Sequence, residues 1–166
     1  MGEGTTARAA LGVLILAVVC AGSGAPRTPQ PRDRRDGVLV AAGLGAAQQL
    51  TVGHSPRSDL IGLWQSVLWA DGYSARSSVT CTFDQATAEA TRVWQSNHHL
   101  SADGIVGPAT WGAAAERIVP VGQWMVYQGE RYGLPLRRTP DGVYEVYDTG
   151  RFHRLRTDAV TLTRCR

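Results

Sequence analysis

Apolar residues recur along this chain with two different periods. Between Ser58 and about Glu116 the spacing is helical. Ile61, Trp64 and Leu68 fall at i, i+3 and i+7 of a helix that Ser58 can cap and that ends near Gly72. Thr87, Ala90, Thr91, Trp94 and His98 share one face of a second helix. Pro108 stands in the first turn of a third, with Trp111 and Ala114 spaced to face inward. Three short helices with one tryptophan each predict a small bundle around Trp64, Trp94 and Trp111. After Glu116 the period shortens. Residues 124–127, 143–147, 151–156 and 160–163 are runs of strand formers, punctuated by Pro140-Asp141-Gly142 and Asp148-Thr149-Gly150. They predict a three- or four-stranded antiparallel meander, too small to stand alone and so docked on the bundle. The expected fold class is α+β.

The helical part also echoes itself. Residues 61–65 and 91–95 both close on Trp-Gln, 30 positions apart, and 83–87 echoes 106–110 at a distance of 23. Each unit is a turn feeding a helix that presents one aromatic inward, and neither buries that aromatic alone.

The N-terminal pattern is of another kind. Arg8 precedes an apolar run from Ala9 to Ala21, followed by small residues suited to cleavage, so residues 1–25 read as a signal peptide. An uncleaved membrane anchor and a lipid-modified Cys20 are the alternatives. Pro26, Pro29 and Pro31 among four arginines make the start of residues 26–49 a linker, and the apolar stretch from Val38 to Leu50 fits a short helix or a strand equally. The domain boundaries expected downstream are 50–117 and 118–166. Export leaves Cys81 and Cys165 in an oxidising compartment, where an even pair predicts a disulfide.

Charge changes the picture only in the tail. All 17 basic residues are arginine, and the net charge of +3 is too small to signal nucleic acid. Residues 57–117 carry four arginines against six acids, whereas 118–166 carry eight against five. The tail is the cationic half.

Asp103-Gly104-Ile105-Val106-Gly107-Pro108-Ala109-Thr110-Trp111 resembles, without a gap, the D-G-I-V-G-P-x-T-W signature of the peptidoglycan-binding domain family. Ile61, Trp64, Gln65, Leu68, Gly72 and Tyr73 fit that family's first helix, and Thr87, Ala90, Trp94, Gln95 and Leu100 its second. The likeness covers residues 50–116 and implies a three-helix module of secreted wall proteins. This chain departs from the pattern at Cys81-Thr82 and Asp84 in the first turn, at Thr91 and at His99. Most of the signature has a purely structural use. Gly104 and Gly107 permit a tight turn, Pro108 fixes the helix start, Thr110 bonds within the first turn and Asp103 can cap it.

Catalytic chemistry finds no support in the residues. His54, His98, His99 and His153 show no metal-binding spacing, and no paired carboxylates stand out. Around Cys165 the histidine and glycine of wall cysteine transpeptidases are missing. The expectation is a non-enzyme without cofactor, secreted and associated with the cell wall, whose partner is peptidoglycan through either its glycan or its stem peptide. The arginine-rich tail adds an anionic wall polymer or a secreted protein as a second partner. The alternative is an interaction protein whose module and tail bind a protein, or an accessory subunit of a wall hydrolase. The expected ligand surface comprises Trp69, which lies off the core stripe, with Tyr73, Asn97, His99 and Asp103 around the second helix and its turn.

Overall fold

In a computed structural model, which describes residues 48–140 and 143–165, all described residues fall in one unit of the chain. The expected signal peptide with Cys20, positions 26–47 of the expected linker, and Asp141-Gly142 lie outside the described residues. The chain runs through α1 (Asp59–Ala70), α2 (Gln85–Asn97) and α3 (Pro108–Glu116). Five strands follow: β1 (Ile118–Val121), β2 (Trp124–Gln128), β3 (Gly133–Arg138), β4 (Tyr144–Asp148) and β5 (Arg151–Arg154). This is an α+β fold.

The helices form where the 3.6-residue period predicts, and their tryptophans meet. Trp64, Trp94 and Trp111 are fully buried, with Trp64 edge-on to Trp94 at 5.1 Å and to Trp111 at 5.4 Å between ring centroids. Each buried indole N–H of the first two has an acceptor: Thr91 Oγ1 at 2.8 Å for Trp64, Asp71 Oδ2 at 2.6 Å for Trp94. Ser58 occupies the N-cap position of α1, but its hydroxyl accepts no cap bond. The tail does that work instead. Asp59 N–H donates to Ala159 O at 2.9 Å and Leu60 N–H to Arg156 O at 3.2 Å, so carbonyls from the far end of the chain satisfy the helix's free donors.

The sheet corrects two expectations. It is a five-stranded antiparallel meander in the order β1-β2-β3-β4-β5, not three- or four-stranded. The additional strands, β1 and β3, each contain a proline, which argues against an interior strand position. Pro120 lies in an edge strand. Pro135 precedes Leu136, where the pairing of β3 with β4 begins. Residues 160–163, expected as a strand, are none. Their amides turn inward to Asp59, whose Oδ1 accepts from Thr161 N at 2.7 Å and Leu162 N at 3.0 Å, while Oδ2 accepts from Thr161 Oγ1 at 2.6 Å.

Three buried carboxylates join bundle, sheet and tail. Besides Asp59, Asp71 at the end of α1 accepts from the Tyr127 hydroxyl at 2.5 Å and from Glu130 N at 2.9 Å, with Arg117 at 3.5 Å. Burial, reinforced by the bond to Asp71, pushes the Tyr127 hydroxyl pKa far up, so it stays a donor. Asp148 in β4 holds Thr163 through both backbone and hydroxyl, beside Arg164. Burial alone would raise its pKa, but the Thr163 bonds and the Arg164 charge outweigh this and hold the carboxyl below its usual range. The predicted Cys81–Cys165 bridge is present, with Cα atoms 5.4 Å apart. It packs directly on α1 at Gly62, where a Cβ would lie 2.4 Å from Cys81 Sγ. Only glycine fits there.

Candidate functional site

The internal echo becomes a repeated piece of architecture. Gln65 and Gln95, each following a core tryptophan, reach sideways to hold the turn before the next helix. Gln65 Nε2 donates to Thr82 O and Thr87 Oγ1, both at 2.9 Å, while its Oε1 accepts from Thr80 N and Cys81 N, both at 2.9 Å. Gln95 repeats the scheme. Its Nε2 donates to Asp103 Oδ1, Ile105 O and Thr110 Oγ1, at 2.9, 2.9 and 3.0 Å, and its Oε1 accepts from Gly104 N at 2.8 Å. A buried side-chain amide thus fixes two loops whose lengths and sequences differ.

Each turn leaves a depression beside its glutamine. The first, about 280 Å³, opens between the end of α1 and the start of α2. Gly72, at φ +83°, stops α1 and sends Tyr73 and Ser74 across it. Leu68, Ala86 and Ala90 give it an apolar floor, and Tyr73, Ser74, Ser78, Thr80 and Asp84 a polar rim. Asp84 caps α2, with Oδ1 accepting from Thr87 N at 2.8 Å. One polar atom is out of place: Ser74 Oγ is buried with no hydrogen-bond partner among the described residues. A buried hydroxyl without a partner is rare and costly, so a ligand atom would satisfy it. The second depression, about 230 Å³, is lined by Gln95, Leu100, Asp103, Ile105 and Thr110 among others. Hydroxyls and one carboxylate around an apolar floor suit amide-rich ligands with small apolar side chains.

The residues expected at the ligand surface are distributed over this architecture. Tyr73 lines the first cleft, and its hydroxyl accepts from Asn97 Nδ2 at 2.8 Å, so these two are brought together. Asp103 lines the second depression, where Oδ1 also accepts from Ile105 N at 2.8 Å and thereby fixes the turn. Trp69 is half-buried, stacked on Tyr132 of the β2–β3 loop at 4.6 Å, with the Arg76 guanidinium 5.3 Å from its ring. His99 is exposed at φ +57°. Its neighbour His98 stacks on Trp94 at 3.8 Å. His98 Nδ1 lies 2.7 Å from Trp94 O and Nε2 lies 3.1 Å from Arg117 Nη1, which selects the Nδ1–H tautomer. Among the described residues no group of three or more metal-ligating side chains converges.

Sequence reasoning did not place Ser74 or Asp84 at the ligand surface, nor foresee the bracing role of the two glutamines. The signal for the glutamines was in the Trp-Gln echo itself, since a polar residue repeated beside a core tryptophan needs a repeated partner.

Residues 57–114 match the family model described as "Putative peptidoglycan binding domain", which is 58 of the chain's 166 residues. No curated protein and no solved structure matches the chain. The match takes in all of α1 and α2, both glutamine-braced turns and most of α3, and ends before the sheet. Residues 57–114 are therefore a domain of the peptidoglycan-binding family.

Proposed function

We propose that this is a secreted, non-catalytic cell-wall protein that grips the stem peptide of peptidoglycan in the cleft between α1 and α2. The unpartnered Ser74 Oγ, in a cleft that Tyr73 also lines, carries the reading, because both hydroxyls suit the amide groups that a stem peptide offers. The Asp84 carboxylate at the rim favours an amine-bearing residue, and the floor of Leu68, Ala86 and Ala90 favours alanine-sized side chains. Secretion is supported by the Cys81–Cys165 disulfide, which persists in oxidising compartments. The same bond supports a non-catalytic role, since it occupies the thiol that would serve as a nucleophile.

Co-sedimentation with purified, protein-free sacculi tests the reading. Ala86 is exposed at the cleft, so Ala86→Arg fills it without touching the core. Binding should fall by about tenfold or more, a loss of at least about 1.4 kcal/mol, with an unchanged melting temperature. Unimpaired binding by Ala86→Arg would move the ligand elsewhere. A parent protein that stays in the supernatant would favour the alternative, a module that binds a protein partner or serves a wall hydrolase.

A further inference from the structure

The bundle covers one face of the sheet, burying Tyr127, Leu134, Leu136 and Val146. The opposite face is not polar, as a solvated antiparallel face ordinarily is. Register and alternation put Trp124, Val126, Pro135, Tyr147 and Phe152 on it, together with Arg137, Glu145 and Arg154. Trp124 is 40% exposed and Tyr147 41%. Both rings meet Phe152 edge-on, at 5.7 and 5.5 Å. Trp124 and Phe152 start from strands that are not neighbours, so their side chains lean toward each other across β3 and β4.

The charged residues of this face are layered. Glu145 is buried, with Arg137 at 2.5 Å and Arg154 at 3.8 Å from its carboxylate, while both guanidinium groups stay exposed. Arg137 also lies 4.8 Å over the Phe152 ring. Its Nε and Nη2 bond Glu145, and Nη1 remains to donate. The acid is underneath and the cations are on top.

We infer that this face is a binding site for an acidic polysaccharide. Pyranose rings present apolar C–H faces that stack on exposed aromatic rings, and their hydroxyls accept from guanidinium N–H groups. Two exposed guanidinium groups beside the rings, within a tail segment of net +3, select a chain bearing carboxylates over a neutral one. A second copy of this protein would bring the same positive face and be repelled. A cluster of partly exposed aromatic rings, rather than arginines alone, distinguishes a sugar site from simple ion exchange. The site shares no residue with the helical cleft, so the two assignments fail independently.

The test is affinity electrophoresis of the full, oxidised chain in native gels containing polygalacturonate, with dextran and inorganic polyphosphate as controls. Retardation is expected in polygalacturonate alone. Trp124→Ala and Arg137→Gln should each weaken it about tenfold, with melting unchanged and with Ala86→Arg behaving as the parent. If Trp124→Ala fails to fold, Tyr147→Ser reads the same surface. Equal retardation by polyphosphate, insensitive to the aromatic variants, would reduce the face to ion exchange and overturn the site. So would equal retardation by dextran. Loss in Trp124→Ala of a concentration-dependent dimer seen by sedimentation would give the face to a second copy instead.

Discussion

The two glutamine-braced turns share a scheme and differ in what holds them. Cys81 and Gly104 occupy the same place, both in left-handed backbone, at φ +58° and +75°. Phe83 and Val106 bury the next apolar side chain, and Thr87 and Thr110 receive the glutamine amide. In the second turn the bracing is local: glycine accepts the conformation freely, Asp103 clamps Ile105 N at 2.8 Å, and Pro108 presets the helix. In the first, Thr80 Oγ1 makes the equivalent bond at 3.3 Å, and a cysteine sits where glycine is preferred. Support comes from 84 residues away, through the disulfide to Cys165 and through Arg57, which donates to Thr80 O at 3.1 Å and Cys165 O at 3.0 Å. One turn stands alone; the other is fastened to the tail.

Cutting that fastening is the largest perturbation expected. Cys165→Ser frees a loop whose closure is worth about 4 to 5 kcal/mol by chain entropy, an upper bound because the Asp59 contacts persist. Chemical denaturation should show a large fall in midpoint, matched by the parent in reductant. A midpoint within error of the oxidised parent would mean that the carboxylate anchors alone hold the tail.

Next comes the contrast between the glutamines. Gln95→Leu strands Gly104 N and takes one partner each from Ile105 O and Thr110 Oγ1, and a buried group left unpaired costs about 1–3 kcal/mol before relaxation. Gln65→Leu strands Thr80 N and Cys81 N, while Thr82 O keeps the Asp84 amide. With the disulfide intact, Gln65→Leu should be the milder, by about 1 kcal/mol, because the covalent tie limits how far its turn can open. The gap should close in reductant. Equal losses in the oxidised protein would show that the bridge does not brace the turn.

How far all this could be read from the sequence follows the range of the interactions. Trp64, Trp94 and Trp111 were legible because a period of 3.6 places them on inward faces, and the D-G-I-V-G-P run because its turn chemistry is local. The pairing of Cys81 with Cys165 followed from there being no other partner after export. Asp59 and Asp71 were not legible as buried acids, since their donors come from residues 156–162 and 127–130, which no local pattern joins to α1. Such contacts explain the missing strand at 160–163, where the amides of Thr161 and Leu162 are spent on Asp59 and that of Thr163 on Asp148. Prolines hid β1 and β3 for a third reason: a rule against proline in strands does not foresee where pairing is one-sided. At the candidate site, Tyr73 was reachable from the helix-end pattern, whereas Ser74 is distinguished only by a partner it lacks.

The smallest effect isolates the backbone difference between the turns. A non-glycine residue in left-handed backbone costs about 1–2 kcal/mol, and oxidised Cys81 bears that cost while making the bridge. Without the bridge the cost has no return. On a Cys165→Ser background, Cys81→Gly should therefore stabilise the protein by roughly 1 kcal/mol, reduced somewhat by glycine's greater freedom in the unfolded chain. In the oxidised parent the same substitution should destabilise it by several times as much, because it also removes the disulfide. Gly104→Ala supplies the mirror image. Its Cβ would meet Ala88 O at 3.0 Å in addition to the left-handed backbone, so stability should fall whatever the redox state. Urea midpoints for these variants, with and without reductant, measure the sign directly. A Cys81→Gly that destabilises the bridge-free protein would mean that the cysteine side chain stabilises the turn by packing against Gly62, and that left-handed backbone at the first turn is not what the disulfide sustains.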